Sequence, residues 1–251
     1  MVKIIQKDKE KLIFSAEMSE SFANAMRRSA LEVPVLAIDE VEIYKNDSAL
    51  YDEIIAHRLG LVPLKMEKDM NLKEDCTCDG KGCGKCTVEL KMQAKGPGVV
   101  HSKELKGKAD IVFGDMPITL LREDQEIELV ATAILGKGTE HAKFSPGLVY
   151  YRNLADIETK NCNACDECVK ACPRGLLQLD GKKVAVKDVW KCDMCNACVE
   201  SCKENGDESL KVISSGEIVY FVESFGQMDP KEIFIESVKA LKSNLKQVEK
   251  A

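Results

Sequence analysis

The chain has 251 residues, of which 45% are hydrophobic and 31% are charged, and its formal net charge is -6. This composition is typical of a globular protein, and the length allows more than one domain. The acidic balance argues against direct, sequence-specific nucleic-acid binding, so any action on DNA or RNA would go through partners. No stretch approaches the roughly twenty apolar residues of a membrane-spanning helix, and the N-terminal sequence has no apolar signal segment. We therefore expect a cytoplasmic protein.

The N-terminal part alternates between strand and helix patterns. A strand is predicted at residues 4–14, followed by a helix from about Ser19 that ends before Pro34. A second strand is predicted at 35–44. A short helix at 52–59 is expected to end at Gly60 in the left-handed conformation. The apolar face of the first helix would contain Phe22, Met26, Ala30 and Val33.

A mostly β insert is predicted for residues 44–157, with strands at 88–92, 108–113 and 126–135. A loop rich in cysteine and glycine interrupts it. Four thiolates on such a tight loop suit tetrahedral zinc, because glycines let backbone amides turn toward the sulfur atoms. An unoccupied or differently metallated loop is the alternative. The cysteines of this C-x-C-x4-C-x2-C motif are Cys76, Cys78, Cys83 and Cys86.

Eight further cysteines form two groups with the same spacing, C-x2-C-x2-C-x3-C. This spacing is that of two-cluster ferredoxins, in which the fourth cysteine of each group ligates the other cluster. We therefore predict two [4Fe-4S] clusters with crossed ligands, with zinc or empty thiols as alternatives. The first cluster would be held by Cys162, Cys165, Cys168 and Cys202, and the second by Cys192, Cys195, Cys198 and Cys172.

The cluster module is predicted to span residues 158–207, with a small hairpin between the two cysteine groups. A segment of this size buries little apolar surface, so the clusters would act as its core.

The C-terminal part returns to strand at 211–224 and ends in a helix with strong local signals. Asp229 is the expected N-cap, Pro230 occupies the first helical position, and Glu232 has capping-box spacing. Packing of one face on its own domain and packing against a partner helix both explain the helix's apolar stripe. The stripe contains Phe234, Val238, Leu241, Leu245 and Val248.

No catalytic site is predicted. The three histidines lie outside any motif with a nucleophile, and no phosphate-binding loop occurs. Asp52 and Glu53 are interpreted as first-turn charges that compensate the helix dipole rather than as an acid/base pair. On the cysteines alone, a two-cluster electron-transfer protein or an oxidoreductase subunit remains an alternative.

Residues 22–64 contain the pattern N-A-M-R-R, then a proline, then D-E-x-x-x-H-R-L-G-x-x-P. The matching positions are Asn24, Arg27, Arg28, Pro34, Asp52, Glu53, His57, Arg58, Leu59, Gly60 and Pro63. HAKFSP at 141–146 and YFVESFGQMDP at 220–230 are further matches. Together they resemble the alpha-like assembly subunits of RNA polymerase, over nearly the whole chain.

The resemblance implies an α+β fold in which an alpha-like dimerisation domain, 1–43 and 208–251, is interrupted. The interruptions are the mostly β insert, 44–157, and the ferredoxin-like [4Fe-4S] domain, 158–207. The dimerisation domain would pair with the small subunit L. The resemblance therefore favours partner packing of the terminal stripe, and it adds Phe22 and Met26 to the dimer seam.

The resemblance also implies a non-catalytic subunit on which the polymerase assembles. Arg27, Arg28, His57 and Arg58 would lie near surfaces that dock the large catalytic subunits and the small subunits N and P. The 76–86 loop is similar to a zinc loop in the eukaryotic counterpart, although its second gap is one residue longer here. The full set of eight cluster ligands, rather than the resemblance, motivates the hypothesis that the clusters stabilise the inserted module and link assembly to redox or iron status.

Overall fold

The computed structural model describes residues 2–65, 69–206 and 208–250. Its α-helices are α1 (Glu20–Ser29), α2 (Asp52–Gly60), α3 (Glu167–Ala171), α4 (Ala197–Glu204) and α5 (Pro230–Glu249). Its strands are β1 (Lys3–Lys7), β2 (Lys11–Glu17), β3 (Val35–Asn46), β4 (Thr87–Lys95), β5 (Gly98–His101), β6 (Lys106–Gly107), β7 (Pro117–Leu121), β8 (Glu126–Gly136), β9 (Gly147–Thr159), β10 (Leu177–Asp180), β11 (Lys183–Val186) and β12 (Leu210–Ser224). The α+β prediction is confirmed.

The chain divides into two compact units. The first groups the described residues of Met1–Lys7, Ile13–Asn24 and Tyr150–Phe221. The second groups Asp8–Leu12, Ala25–Val149 and the described residues of Val222–Ala251. The division into three domains stays a prediction, and its limits at Met1, Asp207 and Ala251 lie outside the described residues.

The first unit contains most of a four-stranded sheet, in the order β1-β2-β12-β9, and the separate hairpin β10-β11. One apolar cluster includes Ile13, Val219 and Phe221, and the Phe221 ring stacks on Tyr150 with 4.5 Å between centroids. The predicted hairpin between the two cysteine groups is confirmed, since β10 pairs with β11. Its turn contains Gly181 at φ +62°.

The second unit is built on the sheet β3-β8-β4-β6, whose observed pairs are antiparallel. Alternate side chains of β4 and β8 point into one core, as the period of two in a half-buried strand requires. Ile55 and Leu59, one helical turn apart on α2, are fully buried in the same core.

The predicted strand at 4–14 is wrong in its continuity, because β1 and β2 are separated by a tight turn. The Asp8 N–H donates to the Lys11 carbonyl oxygen at 2.9 Å. The Asp8 carboxylate accepts from the N–H groups of Glu10 and Lys11 at 2.9 and 2.7 Å. Aspartate commonly stabilises turns in this way, and the pattern of apolar residues did not reveal it.

Two smaller predictions are also wrong. Residues 108–113 form no continuous strand, since only Ile111 makes an isolated bridge, to Leu64. Gly60 is the last residue of α2 and has no positive φ, and the C-cap residue Leu61 has φ -93°.

The predicted start of α5 is confirmed. The Asp229 carboxylate accepts from the Lys231 N–H at 2.8 Å, and Pro230 occupies the first turn. None of the helices in the described part of the chain has both the length and the apolar composition needed to cross a membrane.

Candidate metal centres and partner-binding residues

The cysteine loop before β4 gathers its four sulfur atoms at one point. The Sγ atoms of Cys76 and Cys83 are 3.6 Å apart, those of Cys78 and Cys86 are 3.6 Å apart, and those of Cys83 and Cys86 are 3.9 Å apart. Tetrahedral zinc with Zn–S bonds of about 2.3 Å needs sulfur atoms about 3.8 Å apart. The distances between the sulfur atoms are therefore those of a zinc site. The sequence analysis predicted this site from the spacing of the cysteines along the chain.

Backbone geometry supports this loop. Gly80 and Gly82 have φ values of +74° and +87°, which favour glycine. Burial would raise the pKa of Cys78, but hydrogen bonds from Cys86, Cys76 and the Gly82 backbone lower that pKa to about 7. Burial raises the pKa of Cys86 to about 12. The lowered pKa favours the thiolate form of Cys78, which is the form in which cysteine binds zinc.

The first predicted cluster quartet comes together in the first unit. Burial raises the pKa of Cys168, and the charges of Cys202, Cys162 and Cys165 raise that pKa further. Because charge repulsion weakens with distance, these three thiols are the neighbours of Cys168. Cys202 comes from the other sequence group, as a crossed arrangement requires. Cys165 is the exposed member of the quartet.

The second quartet lines one cavity. Cys172 stands there with Cys192, Cys195 and Cys198, beside Arg174. Burial raises the pKa of Cys198 to about 11, and the charges of Cys172 and Cys192 contribute to this rise. Cys172 is again the member contributed by the other sequence group.

The two cysteine groups repeat an unusual backbone conformation. Ala164 and Met194, two residues after the first cysteine of each group, have φ values of +62° and +57°. Asp166 and Asn196, one residue after the second cysteine, have φ values of +69° and +61°. Positive φ is uncommon outside glycine, and such turns direct backbone N–H groups inward, as at many iron–sulfur sites. The Ala164 N–H accordingly donates to Cys162 Sγ at 3.4 Å.

Sulfur spacing separates the two kinds of site. Among the described residues, the thiols of the 76–86 loop form the one group of at least three His, Cys, Asp or Glu ligand atoms lying within 4.8 Å of one another. The eight cysteines of the module therefore lie too far apart for zinc. A four-iron cluster places its ligands farther apart, because four metal ions lie between them. The spacing of these cysteines therefore fits [4Fe-4S] clusters better than it fits zinc ions.

The four predicted docking residues lie at or near the surface. Arg28 and His57 are exposed, and Arg27 is half-buried. Arg58 Nη1 donates to the Ile118 carbonyl oxygen at 2.8 Å, which holds its guanidinium on the second unit.

The structure adds neighbours to His57 that sequence analysis did not connect with it. His57 lines a cleft together with His141, Asp39 and Lys143. Lys143 Nζ and an Asp39 carboxylate oxygen are 2.7 Å apart, and His141 Nδ1 accepts from the Lys143 N–H. The sequence signals for this cleft were the HAKFSP and H-R-L-G segments. Their local spacing did not indicate that the two segments meet in the fold.

The predicted dimer-seam residues differ in exposure. Phe234, Val238 and Leu241 are half-buried, while Leu245 and Val248 are 57% and 74% exposed. The buried positions of α5 are instead Pro230, Ile233 and Ser237.

The two seam residues predicted on α1 also differ. Phe22 is 49% exposed. Met26 is 2% exposed because the inward face of α1 carries it, so Met26 offers no surface to a partner in this structure.

Two family models match the chain. Residues 41–147 match the RNA polymerase Rpb3/RpoA insert domain, and residues 155–203 match a 4Fe-4S dicluster domain. The second match supports iron–sulfur binding by this segment.

Full-length relatives are similar as well. The chain is 38% identical to DNA-directed RNA polymerase subunit Rpo3 of Archaeoglobus fulgidus, over 92% of this chain and 89% of the relative. It is 37% identical to Rpo3 of Methanothermobacter thermautotrophicus, over 96% and 94%. It is 37% identical to Rpo3 of Pyrococcus horikoshii, over 92% and 90%. The chain therefore belongs to the archaeal Rpo3 family of DNA-directed RNA polymerase subunits.

Proposed function

We propose that the chain is a non-catalytic assembly subunit that forms a heterodimer with the small subunit L. The heterodimer then receives subunits N and P and the large catalytic subunits. The cytoplasm is the proposed location, and the twelve unpaired cysteines suit its reducing conditions. Family membership supports the assembly role. The apolar stripe of α5, exposed at Leu245 and Val248, is the observation that carries the dimer.

Helix geometry explains how α5 contacts its own chain and a partner together. At 3.6 residues per turn, the stripe is centred about 100° around the helix from Ile233. Ile233 is fully buried, and α5 packs near the 3-10 turn Ala30–Glu32. Leu245 and Val248 lie beyond that contact and stay exposed. Large apolar side chains that stay exposed next to a half-buried apolar stripe are typical of a protein interface.

The docking role extends to the basic residues. Arg28 and His57 are exposed, so both are accessible to the large subunits or to N and P. Arg58 is held by the Ile118 carbonyl oxygen, which orients its remaining donors toward a partner. A planar guanidinium fixed in this way favours bidentate contacts with a carboxylate.

We assign two [4Fe-4S] clusters to the crossed quartets described above. When bound, the clusters supply iron–thiolate bonds that cross-link the module. Four of the seven buried residues in its apolar cluster are cysteines, which are Cys162, Cys168, Cys198 and Cys202. Little apolar surface remains to replace a lost cluster, so cluster loss would loosen the module and weaken docking of other subunits. This supports a role in sensing redox or iron status.

The sensor role predicts a defect in cluster-free protein. In the Cys162→Ser/Cys192→Ser variant, we expect polymerase reconstitution to weaken by about fivefold, the effect of about 1 kcal/mol of lost docking energy. The yield of assembled polymerase measures it, in air and under anoxia. Unchanged assembly rate and affinity in both atmospheres would exclude the sensor role.

The 76–86 loop is proposed to hold one structural zinc ion, on the strength of its sulfur spacing. Cys83→Ser should abolish zinc binding and lower the melting temperature by about 6–12 °C, for a loss of about 3 kcal/mol. Zinc content by atomic emission and thermal melting are the measurements. Thr77→Ala, an exposed change within the same loop, is the control. Retained zinc with unchanged melting in the cysteine variant would contradict the assignment.

One experiment tests the whole proposal. Anoxic co-expression with subunit L should give a one-to-one complex with about eight irons and one zinc per chain. Native mass and the contents of iron, sulfide and zinc are measured. A monomer that exchanges electrons with a redox partner would instead support the electron-transfer alternative.

A further inference from the structure

An open groove in the second unit is lined by residues from five separate segments. Its volume is about 450 Å³. Among its apolar lining residues, Leu61, Phe113 and Phe225 are 50%, 49% and 46% exposed. We call it the Phe225 groove. An apolar lining that is half exposed in the free chain gains free energy when a partner covers it.

The Phe225 groove also contains an unsatisfied polar atom. Gln227 is 7% exposed, and its Oε1 atom has no hydrogen-bond partner within the described residues. A buried carbonyl oxygen without a donor destabilises the free chain. An occupant that brings an N–H group to Gln227 would remove this cost.

The charges of the groove are uneven. Lys143 lines it, but this ammonium is already paired with Asp39 at 2.7 Å. Glu10, at the same groove, is exposed and has no ion pair among the described residues. The uncompensated charge is therefore negative, and it favours an occupant with a lysine or an arginine.

The groove wall is preorganised. The Phe225 N–H donates to the Pro146 carbonyl oxygen at 3.2 Å, and Ser224 Oγ donates to the Met228 carbonyl oxygen at 2.6 Å. Gly226 has φ +97°, and a Cβ atom there would lie 2.4 Å from Val112 Cγ1. Glycine thus allows this turn to pack closely on the neighbouring segment. A rigid wall lowers the entropy cost of binding.

These features favour an extended peptide over a helix. The backbone N–H groups of a helix interior are used within the helix, whereas an extended segment presents unpaired N–H groups to a surface. Leu61 and Lys143 also line the cleft of His57, so the groove adjoins a proposed docking surface. We propose that the Phe225 groove binds an extended segment of another polymerase subunit, in which an apolar side chain lies next to a lysine or arginine. This rests on the proposed function, which supplies the class of partner.

Site-specific photo-crosslinking tests the proposal. Benzoylphenylalanine replaces Phe225 in the full chain, and the polymerase is reconstituted from purified subunits and irradiated. We expect one crosslinked segment in one other subunit, containing an apolar residue beside Lys or Arg. The control places the same probe at Leu120, which is 59% exposed and outside the groove lining.

Competition measures the contribution of each feature. Phe225→Ala should enter reconstituted polymerase at least about tenfold less well than the wild-type chain in direct competition. Gln227→Met, which keeps the size but removes the acceptor, and Glu10→Lys should also compete poorly, whereas Leu120→Ala should compete normally. Circular dichroism of each variant verifies folding.

Three outcomes would overturn the groove proposal while leaving the assembly role intact. They are normal competition by all three groove variants, the same crosslinks from both probe positions, and crosslinks only to a second copy of this chain. Failure of the wild-type chain to enter the polymerase would overturn the assembly role instead.

Discussion

Leu245→Asp/Val248→Asp will prevent formation of the heterodimer while the free chain keeps its fold. Both side chains are mostly exposed, so two carboxylates at these positions stay hydrated in the free chain. In the heterodimer they would lose water without gaining a cationic partner, which is strongly unfavourable. We expect a loss of at least about 4 kcal/mol, which is about a thousandfold in Kd. Calorimetric titration with purified subunit L measures the Kd.

The matched control adds the same charge to another face of the helix. Ser243 and Gln247 are exposed and lie about 180° and 140° around α5 from the centre of the stripe. Ser243→Asp/Gln247→Asp should therefore bind L nearly normally. Equal losses in the two double variants would mean that the stripe is not the seam.

If the ligands are crossed, the losses of iron caused by two cysteine substitutions will not add when both substitutions affect the same cluster. Cys162→Ser and Cys202→Ser should remove the same cluster, so the double variant should keep about the four irons of either single variant under anoxia. Cys162→Ser/Cys172→Ser should remove both clusters and lose nearly all iron. Iron and sulfide analysis, with electron paramagnetic resonance of the reduced protein, measures both.

Ligation within each sequence group would give the reverse result, with the Cys162→Ser/Cys172→Ser variant retaining a cluster. Ser201→Ala, next to a proposed ligand, controls for disturbance of α4 and should keep about eight irons. The electrostatic neighbours of Cys168 and the shared cavity of Cys172 both support the crossed result.

Local patterns predicted much of the fold because their causes are local. The α5 N-cap depends on Asp229 and Pro230, and the β10-β11 hairpin depends on a glycine between two short apolar runs. The spacing of Cys76, Cys78, Cys83 and Cys86 likewise indicated four thiols that lie close together in the structure. The turn at Asp8 was missed, because its signal is a side-chain hydrogen bond rather than a period of apolar residues.

Sites formed by tertiary contacts were beyond these patterns. The Phe225 groove combines Leu61, Phe113 and Phe225, which are far apart in sequence and have no motif in common. The burial of Met26 has the same origin, since periodicity identifies an apolar helix face without saying whether its own chain or a partner covers it.

The proposed crossed ligation also constrains how such a module changes during evolution. Losing one whole cysteine group leaves three thiols at one cluster site and a single thiol at the other, so neither site keeps its four ligands. A lineage that retains one cluster should keep three cysteines of one group and the last cysteine of the other. Relatives with one site should therefore preserve positions corresponding to Cys162, Cys165, Cys168 and Cys202, or to the complementary four, rather than one contiguous motif.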